Sequence, residues 1–217
     1  MKKSRIFCLA LFVLLCVGIP ASSFAAKSST PPRQDPQTYT NSIGMEFVLI
    51  PAGSFTRTFT TKNDAGEEQK QFSKVIISKP FYLGIRQVTQ EQWAAVMGKN
   101  PSSFKGQNNP VDTVSWDDAQ EFIKRLNAKE KHMRYRLPTE AEWDLAVRGG
   151  METPFFFLKD ARDWERAADE LEAYAWFKKN SGDTTHPVGQ KKANSYGLHD
   201  MYGNAWEWVQ DGFAELP

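Results

Sequence analysis

Cysteine is nearly absent from this 217-residue chain. Only Cys8 and Cys16 occur, both close to the N-terminus. Everything after Cys16 therefore lacks the thiols needed for a disulfide, a cysteine nucleophile or a soft-metal site. Chemistry that depends on a thiol is excluded from the rest of the sequence.

An excess of charge of either sign is also missing. The sequence has 27 Lys and Arg against 26 Asp and Glu, a formal net charge of +1. A nucleic-acid-binding protein needs a basic face to neutralise phosphates, so we expect no nucleic-acid partner. With 41% hydrophobic and 13% aromatic residues, the chain can form a packed core, and its 14 Gly and 12 Pro indicate many loops.

The one long apolar run lies at the N-terminus, where Ile6–Ile19 follows three basic residues. A basic start, a short apolar stretch and small residues up to Ala25 are typical of a secretory signal peptide. We therefore expect residues 1–25 to be removed and the product to be secreted or periplasmic, without membrane attachment. An uncleaved membrane anchor is the alternative.

The remaining chain divides into a polar leader and one domain. Residues 26–40 are rich in Ser, Thr, Pro and Gln, which predicts a flexible leader, and residues 41–217 are expected to form a single domain. Within it, β-rich segments predict strands at four places, the middle two forming a hairpin around Asn63–Gly66: Met45–Ile50, Phe55–Thr61, Phe72–Ile77 and Phe81–Ile85.

Three helices are predicted from their first turns. Each begins with a capping box, in which a hydroxyl and a side chain three residues later satisfy two backbone N–H groups. The pairs are Thr89 with Gln92, Ser115 with Asp118, and Thr139 with Glu142. Beyond Met151 the periodicity fades, and a long irregular region needs a metal, a ligand or buried aromatic residues to hold it.

The most distinctive local motif runs from Asp200 to Trp208. Asp200 and Glu207 flank a turn at Gly203-Asn204, and such a turn can direct backbone carbonyls to the same side. Hard cations such as calcium bind carboxylates and carbonyls of this kind. The alternative is that both carboxylates cap turns and the neighbouring tryptophans belong to the core.

No catalytic residue can be assigned from the sequence. The histidines, His132, His186 and His199, have no spacing typical of a zinc or iron site. There is no Gly-x-Ser-x-Gly elbow and no phosphate-binding glycine loop. Glu142, which with Glu140 could suggest a carboxylate pair, is explained by its capping box.

Six blocks in order carry a family resemblance. They are GMEFVLIPAGSF at 44–55, KPFYLG with VTQEQW within 79–93, PV with VSWDDA within 110–119, YRLPTEAEW at 135–143, HPVG with YGL within 186–198, and GNAWEW at 203–208. Together they resemble the formylglycine-generating enzyme, or sulfatase-modifying factor, family over residues 41–211. The resemblance implies an α+β, C-type-lectin-like fold with much irregular structure, rigidified by calcium.

The resemblance also implies a ligand set for one calcium ion. Asp200 and Glu207 would supply side-chain oxygens, and Gly203 and Ala205 would supply backbone carbonyls. A second calcium site of the family is doubtful here, because Tyr174 stands where an Asn ligand is expected.

The activity of the family is not expected from this chain alone. Catalytic members oxidise a sulfatase cysteine or serine to formylglycine, using oxygen and copper held by two cysteines downstream of the GNAWEW block. This sequence stops before such a segment, so we expect a domain that lacks the closing strands, has no copper ligands and is inactive alone. A protein partner or complementing chain would then be needed. The alternative is a non-enzymatic, calcium-stabilised, lectin-like binding module of the cell envelope.

Overall fold

The computed structural model describes residues 9–10, 14–15, 37–62, 66–131, 134–158 and 169–211. Its regular elements are small strands and three short to medium helices placed between loops. In chain order they are β1 Leu9–Ala10, β2 Leu14–Leu15, β3 Thr38–Thr40, β4 Glu46–Ile50, β5 Gly53–Lys62, β6 Glu68–Ile77, β7 Phe81–Gly84, α1 Gln90–Met97, α2 Trp116–Lys129, β8 Tyr135–Arg136, α3 Glu140–Val147 and β9 Trp206–Glu207.

The centre of the molecule is a five-stranded sheet in the order β3-β4-β7-β2-β8. β4 and β7 are antiparallel, with Val48 opposite Leu83. Because successive residues of a strand point to opposite faces, β4 sends Phe47 into one apolar cluster and Val48 into another. The first, here the α1–α2 cluster, includes Phe47, Trp93, Phe122, Leu126, Tyr135 and Leu137. The second, the α3 cluster, includes Val48, Ile50, Phe55, Phe81, Leu83 and Leu145.

The three predicted helices are confirmed, including their first turns. In each case the N-cap hydroxyl accepts a hydrogen bond from the third helical N–H, and the side chain at that third position accepts one from the N-cap backbone N–H. The long helix α2 buries Phe122, whose ring stacks on Trp93 of α1 at 5.0 Å between centroids. Trp143 of α3 is half-buried, and its indole N–H donates to Glu207 in a loop described below.

The predicted hairpin is also confirmed. β5 and β6 pair over their full length, from Gly53 opposite Ile77 to Lys62 opposite Glu68, and residues 63–65 of the predicted turn lie outside the described residues. Phe55 anchors the base of this hairpin in the α3 cluster, whereas Phe72 is 69% exposed. The hairpin is therefore fixed at one end and projects from the core.

The last three residues of the predicted leader, 38–40, form a strand. Thr38–Thr40 forms β3 and pairs with β4, with Tyr39 opposite Phe47, so these three residues are part of the sheet. Tyr39 packs on the Phe47 ring at 6.1 Å. A single aromatic residue in a polar stretch gave no periodic signal, which is why the prediction was wrong at residues 38–40; residues 16–36 lie outside the described part.

The region after α3 is mostly irregular, as predicted. Rings from Phe155 and Phe157 pack against Tyr202 and Tyr174, at 5.1 Å for Phe155–Tyr202 and 4.9 Å for Phe157–Tyr174. These contacts join the loop before residue 159 to the loops after residue 168. Among the residues that the structure describes, none belongs to a helix long and apolar enough to cross a membrane.

Candidate metal centre

The Asp200–Glu207 loop is held in a tightly turned conformation. Asp200 and Asn204 both have positive φ, 61° and 66°, and the Gly203 N–H donates to the Asp200 carbonyl at 3.1 Å. Gly203 is required here, because a Cβ at this position would overlap the Trp176 carbonyl oxygen. The side chain of Asn204 pairs with both backbone groups of His186, at 2.9 and 3.0 Å. The loop is thereby attached to two neighbouring segments.

Three of the four predicted ligands converge on one buried side chain. The Gln87 amide nitrogen donates to the Ala205 carbonyl at 2.9 Å, to the Gly203 carbonyl at 3.2 Å and to Glu207 Oε1 at 2.8 Å. An amide nitrogen has two hydrogens, so it cannot fully satisfy three acceptors. The loop therefore presents one more oxygen than Gln87 can bind.

Two further oxygens at this place are buried without a partner. One is Oε1 of Gln87, and the other is Oδ1 of Asp200. The second oxygen of Asp200 accepts a hydrogen bond from the Gly189 N–H at 2.7 Å. Buried polar atoms are rarely left unpaired in folded proteins, so these two oxygens indicate a group that the protein atoms do not supply.

The carboxylates are held in a desolvated environment. Burial raises the pKa of Asp200 above its ordinary value, against the hydrogen bond from Gly189. Burial also raises the pKa of Glu207, to about 8, and the negative charge of Asp200 raises it further, whereas hydrogen bonds from Gln87 and Trp143 lower it. Two carboxyl groups near each other in such a place favour a compensating positive charge.

The donor set fits a hard cation. Carboxylate, carbonyl and amide oxygens are the ligands that calcium prefers, and five of them come from Gln87, Asp200, Gly203, Ala205 and Glu207. The Gln87 amide would have to turn its oxygen, rather than its nitrogen, toward the loop. Within the described ranges no group of three or more His, Cys, Asp or Glu side chains could hold a metal ion, so a cation here would depend on carbonyls.

The sequence did not predict Gln87 or Trp143. Gln87 follows β7 and lies 116 residues before Gly203, and Trp143 donates its indole N–H to Glu207 from α3. Neither residue has a local sequence pattern that marks it as part of a site. Only the chain topology, which places the end of β7 and the start of α3 beside the loop, brings them together.

Tyr174, which the resemblance places where an Asn ligand of a second calcium site is expected, packs against aromatic rings. The Tyr174 ring stacks on Phe157, and Asn180 uses its side chain to hold its own turn, accepting from Phe177 N–H and donating to the Ala175 carbonyl. These groups are committed to packing and turn formation.

The two histidines that the structure describes contact loop segments through their rings. The His186 ring stacks on Trp176 at 3.8 Å and its Nε2 lies 2.9 Å from the Ser181 carbonyl, while His199 Nδ1 lies 2.8 Å from the Lys191 carbonyl. His132 lies outside the described residues. The Glu142 capping interaction is confirmed, and the same carboxylate forms a salt bridge with Arg136 at 2.6 Å.

A small antiparallel sheet, three capped helices and a long irregular region define an α+β protein of the C-type-lectin-like class, which confirms the predicted fold class. Residues 32–217 match the family described as "Sulfatase-modifying factor enzyme 1-like domain", and the chain belongs to that family.

Relatives of known name differ in how much of their length the chain spans. The chaperone protein LppX of Paenibacillus barcinonensis is 30% identical over 208 residues, which cover 76% of this chain and 71% of that protein. The formylglycine-generating enzyme of Mus musculus is 29% identical over 189 residues, which cover 82% of this chain but 46% of that enzyme.

A solved structure shows a sequence identity and a coverage close to those of these relatives. The solved structure of Treponema denticola variable protein 1 superimposes with a TM-score of 0.63 and is 29% identical, covering 86% of this chain and 79% of that chain. The chain therefore spans 71% of LppX and 79% of the Treponema protein, but less than half of the mouse formylglycine-generating enzyme.

Proposed function

We propose that this protein is an exported member of the sulfatase-modifying-factor family that binds a protein partner, and that residues 26–217 do not form formylglycine alone. The observation that carries the proposal is the absence of cysteine after Cys16. The oxidation performed by catalytic relatives needs thiolates both as copper ligands and in the chemistry, and no other side chain replaces them. Residues 26–217 contain none.

Export is inferred from the N-terminal sequence. The basic and apolar pattern before Ala25 favours cleavage after that residue and release outside the cytoplasm. Cleavage would also remove both cysteines, so the released protein would be unaffected by an oxidising compartment. N-terminal sequencing of protein from the culture medium or periplasm should begin at Ala26; a sequence that begins at Met1 would contradict export.

A calcium ion would serve this protein as a structural element. Bound by Asp200, Glu207, the carbonyls of Gly203 and Ala205, and a rotated Gln87, it would neutralise the carboxylates and pair the orphaned oxygens. Isothermal titration of the metal-free full chain should show calcium binding that Glu207→Ala abolishes. An isotherm unchanged by Glu207→Ala would remove the site.

Binding of a protein partner is favoured over catalysis by one comparison. The chain spans 71% of LppX, which is named a chaperone, and less than half of the mouse formylglycine-generating enzyme. A chaperone-like role needs no thiolate, only a surface that holds a polypeptide. The lectin-like binding of another envelope ligand is the second candidate, since the same irregular loops could present it.

Activity can be tested directly. The purified, copper-loaded full chain is incubated with oxygen and a peptide carrying a sulfatase cysteine motif, and aldehyde is measured by mass spectrometry. We expect no aldehyde above the level of a reaction without protein, while a formylglycine-generating enzyme run in parallel converts the peptide. Aldehyde formed by this chain would overturn the proposal.

A further inference from the structure

The β5–β6 hairpin has one face that is fully exposed. Residues directly opposite each other in a sheet share a face, so Phe55 and its partner Val75, which pack in and against the α3 cluster, mark the core side. The even-numbered residues of both strands therefore form the other side, here the outer hairpin face. All of its residues are exposed: Ser54, Thr56, Thr58, Thr60 and Lys62 on β5, and Glu68, Lys70, Phe72, Lys74 and Ile76 on β6.

The β6 half of this face combines apolar and basic side chains. Phe72 and Ile76 are 69% and 66% exposed, and Lys70 and Lys74 alternate with them along the strand. Within the part of the chain that the structure describes, neither lysine has an ion-pair partner. Glu68, the single acidic residue of the face, lies at the turn end of β6. Exposed apolar side chains interleaved with charge of one sign indicate a surface that binds a partner.

The backbone of β6 offers a free edge at the same residues. The Thr56 N–H donates to the Glu152 carboxylate at 3.2 Å, so it points away from β6. In an antiparallel pair such outward groups recur at every second residue of both strands, which places the N–H and C=O groups of Lys70, Phe72 and Lys74 on the outer edge of β6. β5 and β6 form a two-stranded sheet, and no hydrogen bond between described residues engages these groups. An edge of this kind can pair with a further strand.

A second copy of the chain fits this edge poorly. In the antiparallel registers that bring apolar residues of two β6 strands together, Phe72 faces either Phe72 or Ile76 of the other copy. The first register places Lys70 opposite Lys74, and the second places Lys74 opposite its own counterpart. Like charges directly opposite each other destabilise a strand pair. The lysines therefore disfavour self-pairing and favour a strand that carries carboxylates at the positions facing them.

We propose that the outer edge of β6 binds one extended segment of an acidic partner polypeptide, in which the side chains on one face alternate between carboxylate and apolar. The carboxylates lie opposite Lys70 and Lys74, and the apolar side chains lie opposite Phe72 and Ile76. Main-chain hydrogen bonds supply the binding, and the side-chain pattern supplies the selectivity. This inference rests on the proposed binding of a protein partner, and it names the surface and the chemistry of that partner.

The test uses the full chain and a short synthetic peptide in which threonine alternates with valine, glutamate, valine and glutamate. The control peptide has lysine in place of each glutamate. Amide hydrogen exchange of the isotope-labelled chain is measured by NMR with and without each peptide. A peptide that adds a strand slows exchange at Lys70, Phe72 and Lys74, because their amides become bonded, whereas a peptide held by charge alone leaves these amides exposed.

We expect the saturating glutamate peptide to slow exchange at Lys70, Phe72 and Lys74 about ten-fold, and the lysine peptide to leave it unchanged. Gln71 and Ser73 are an internal control, because their amides already bond to β5 and should change less. No slowing with the glutamate peptide, or equal slowing with both peptides, would overturn the inference. Slowing that grows with protein concentration in the absence of peptide would also overturn it, because a second copy would then occupy the edge.

A charge-reversed variant tests the role of the two lysines. Lys70→Glu combined with Lys74→Glu should bind the lysine peptide and no longer the glutamate peptide. The matched control, Lys129→Glu combined with Lys178→Glu, changes the net charge equally at exposed positions outside the hairpin and should keep the native preference. A charge-reversed variant that also keeps the native preference would contradict the inference. Protection of the amides bonded between β5 and β6 shows that the variant hairpin is formed; if it is lost, the two peptides on the native chain decide the question.

The aldehyde assay separates this inference from the proposed function. Aldehyde formed by the full chain refutes the proposed function, whichever peptide binds. Equal effects of the two peptides on a chain that forms no aldehyde refute the β6 edge as the partner surface and leave the proposed function standing.

Discussion

Gln87 provides the sharpest test of the candidate metal centre. It is 1% exposed, its nitrogen faces three loop oxygens and its own oxygen has no partner. Gln90, three residues on, is equally buried, but its nitrogen donates to two carbonyls and its oxygen accepts from two donors. Replacing each by methionine keeps the size and removes the amide, so the two variants form a matched pair.

The cost in the absence of calcium follows from the hydrogen bonds. Gln87→Met removes two N–H donors and leaves buried acceptors unsatisfied, at about 1–3 kcal/mol each, so the free energy of unfolding should fall by about 2–6 kcal/mol. Gln90→Met should cost at least as much, because it also removes the two hydrogen bonds that the Gln90 oxygen accepts. Each variant is therefore compared with itself, in the absence and in the presence of calcium.

Calcium should stabilise the two variants to different extents. At a free concentration 100 times its Kd, calcium stabilises the wild type by about 2.7 kcal/mol. If Gln87→Met weakens binding about ten-fold, this gain falls to about 1.4 kcal/mol, while Gln90→Met keeps the full gain. Urea unfolding followed by circular dichroism, in EDTA and in calcium, measures the difference. An equal gain in all three proteins, or no gain in the wild type, would refute the assignment of Gln87 to the site.

Three other predictions concern the frame around the site. Burial tends to raise the pKa of Glu142, but hydrogen bonds from Arg136 and Thr139 lower it overall. Glu142→Gln should therefore lower the free energy of unfolding by about 1–2 kcal/mol at pH 7 and leave it unchanged once the pH falls well below 4. A difference that does not depend on pH would contradict this. Gly203→Ala should disrupt the Asp200–Glu207 loop and abolish calcium binding, because the added Cβ would overlap the Trp176 carbonyl oxygen. Normal binding would show that the loop can shift away from Trp176. Phe122→Ala should cost about 3–5 kcal/mol in urea unfolding; less than about 1 kcal/mol would mean that its cluster repacks.

The sequence was informative wherever structure depends on neighbours in the chain. Helix starts need only residues within one turn, so Thr89, Ser115 and Thr139 could be identified as caps, and all three are confirmed. The Asp200–Glu207 motif could be recognised for the same reason, because its turn lies within eight residues. Whether it binds calcium stays a prediction.

The sequence was least informative wherever distant segments meet. Gln87 and Trp143 reach Glu207 through sheet and helix packing, and nothing in their own neighbourhood marks that contact. The pairing of Leu14–Leu15 with two internal strands was equally hidden, because an apolar run before small residues is typical of a signal peptide. Strand order in a sheet is a non-local property, and local sequence patterns do not reveal it.

The position of Trp176 has a practical consequence. Its indole stacks on the His186 ring and lies 4.0 Å from the Lys191 ammonium, and its carbonyl accepts the Asn204 N–H that anchors the ligand loop. We expect the imidazole and ammonium groups to quench the fluorescence of this indole, so loosening of the Asp200–Glu207 loop should increase the Trp176 fluorescence. The protein thus contains an optical reporter, and comparison with Trp176→Phe would isolate its signal from that of the other tryptophans.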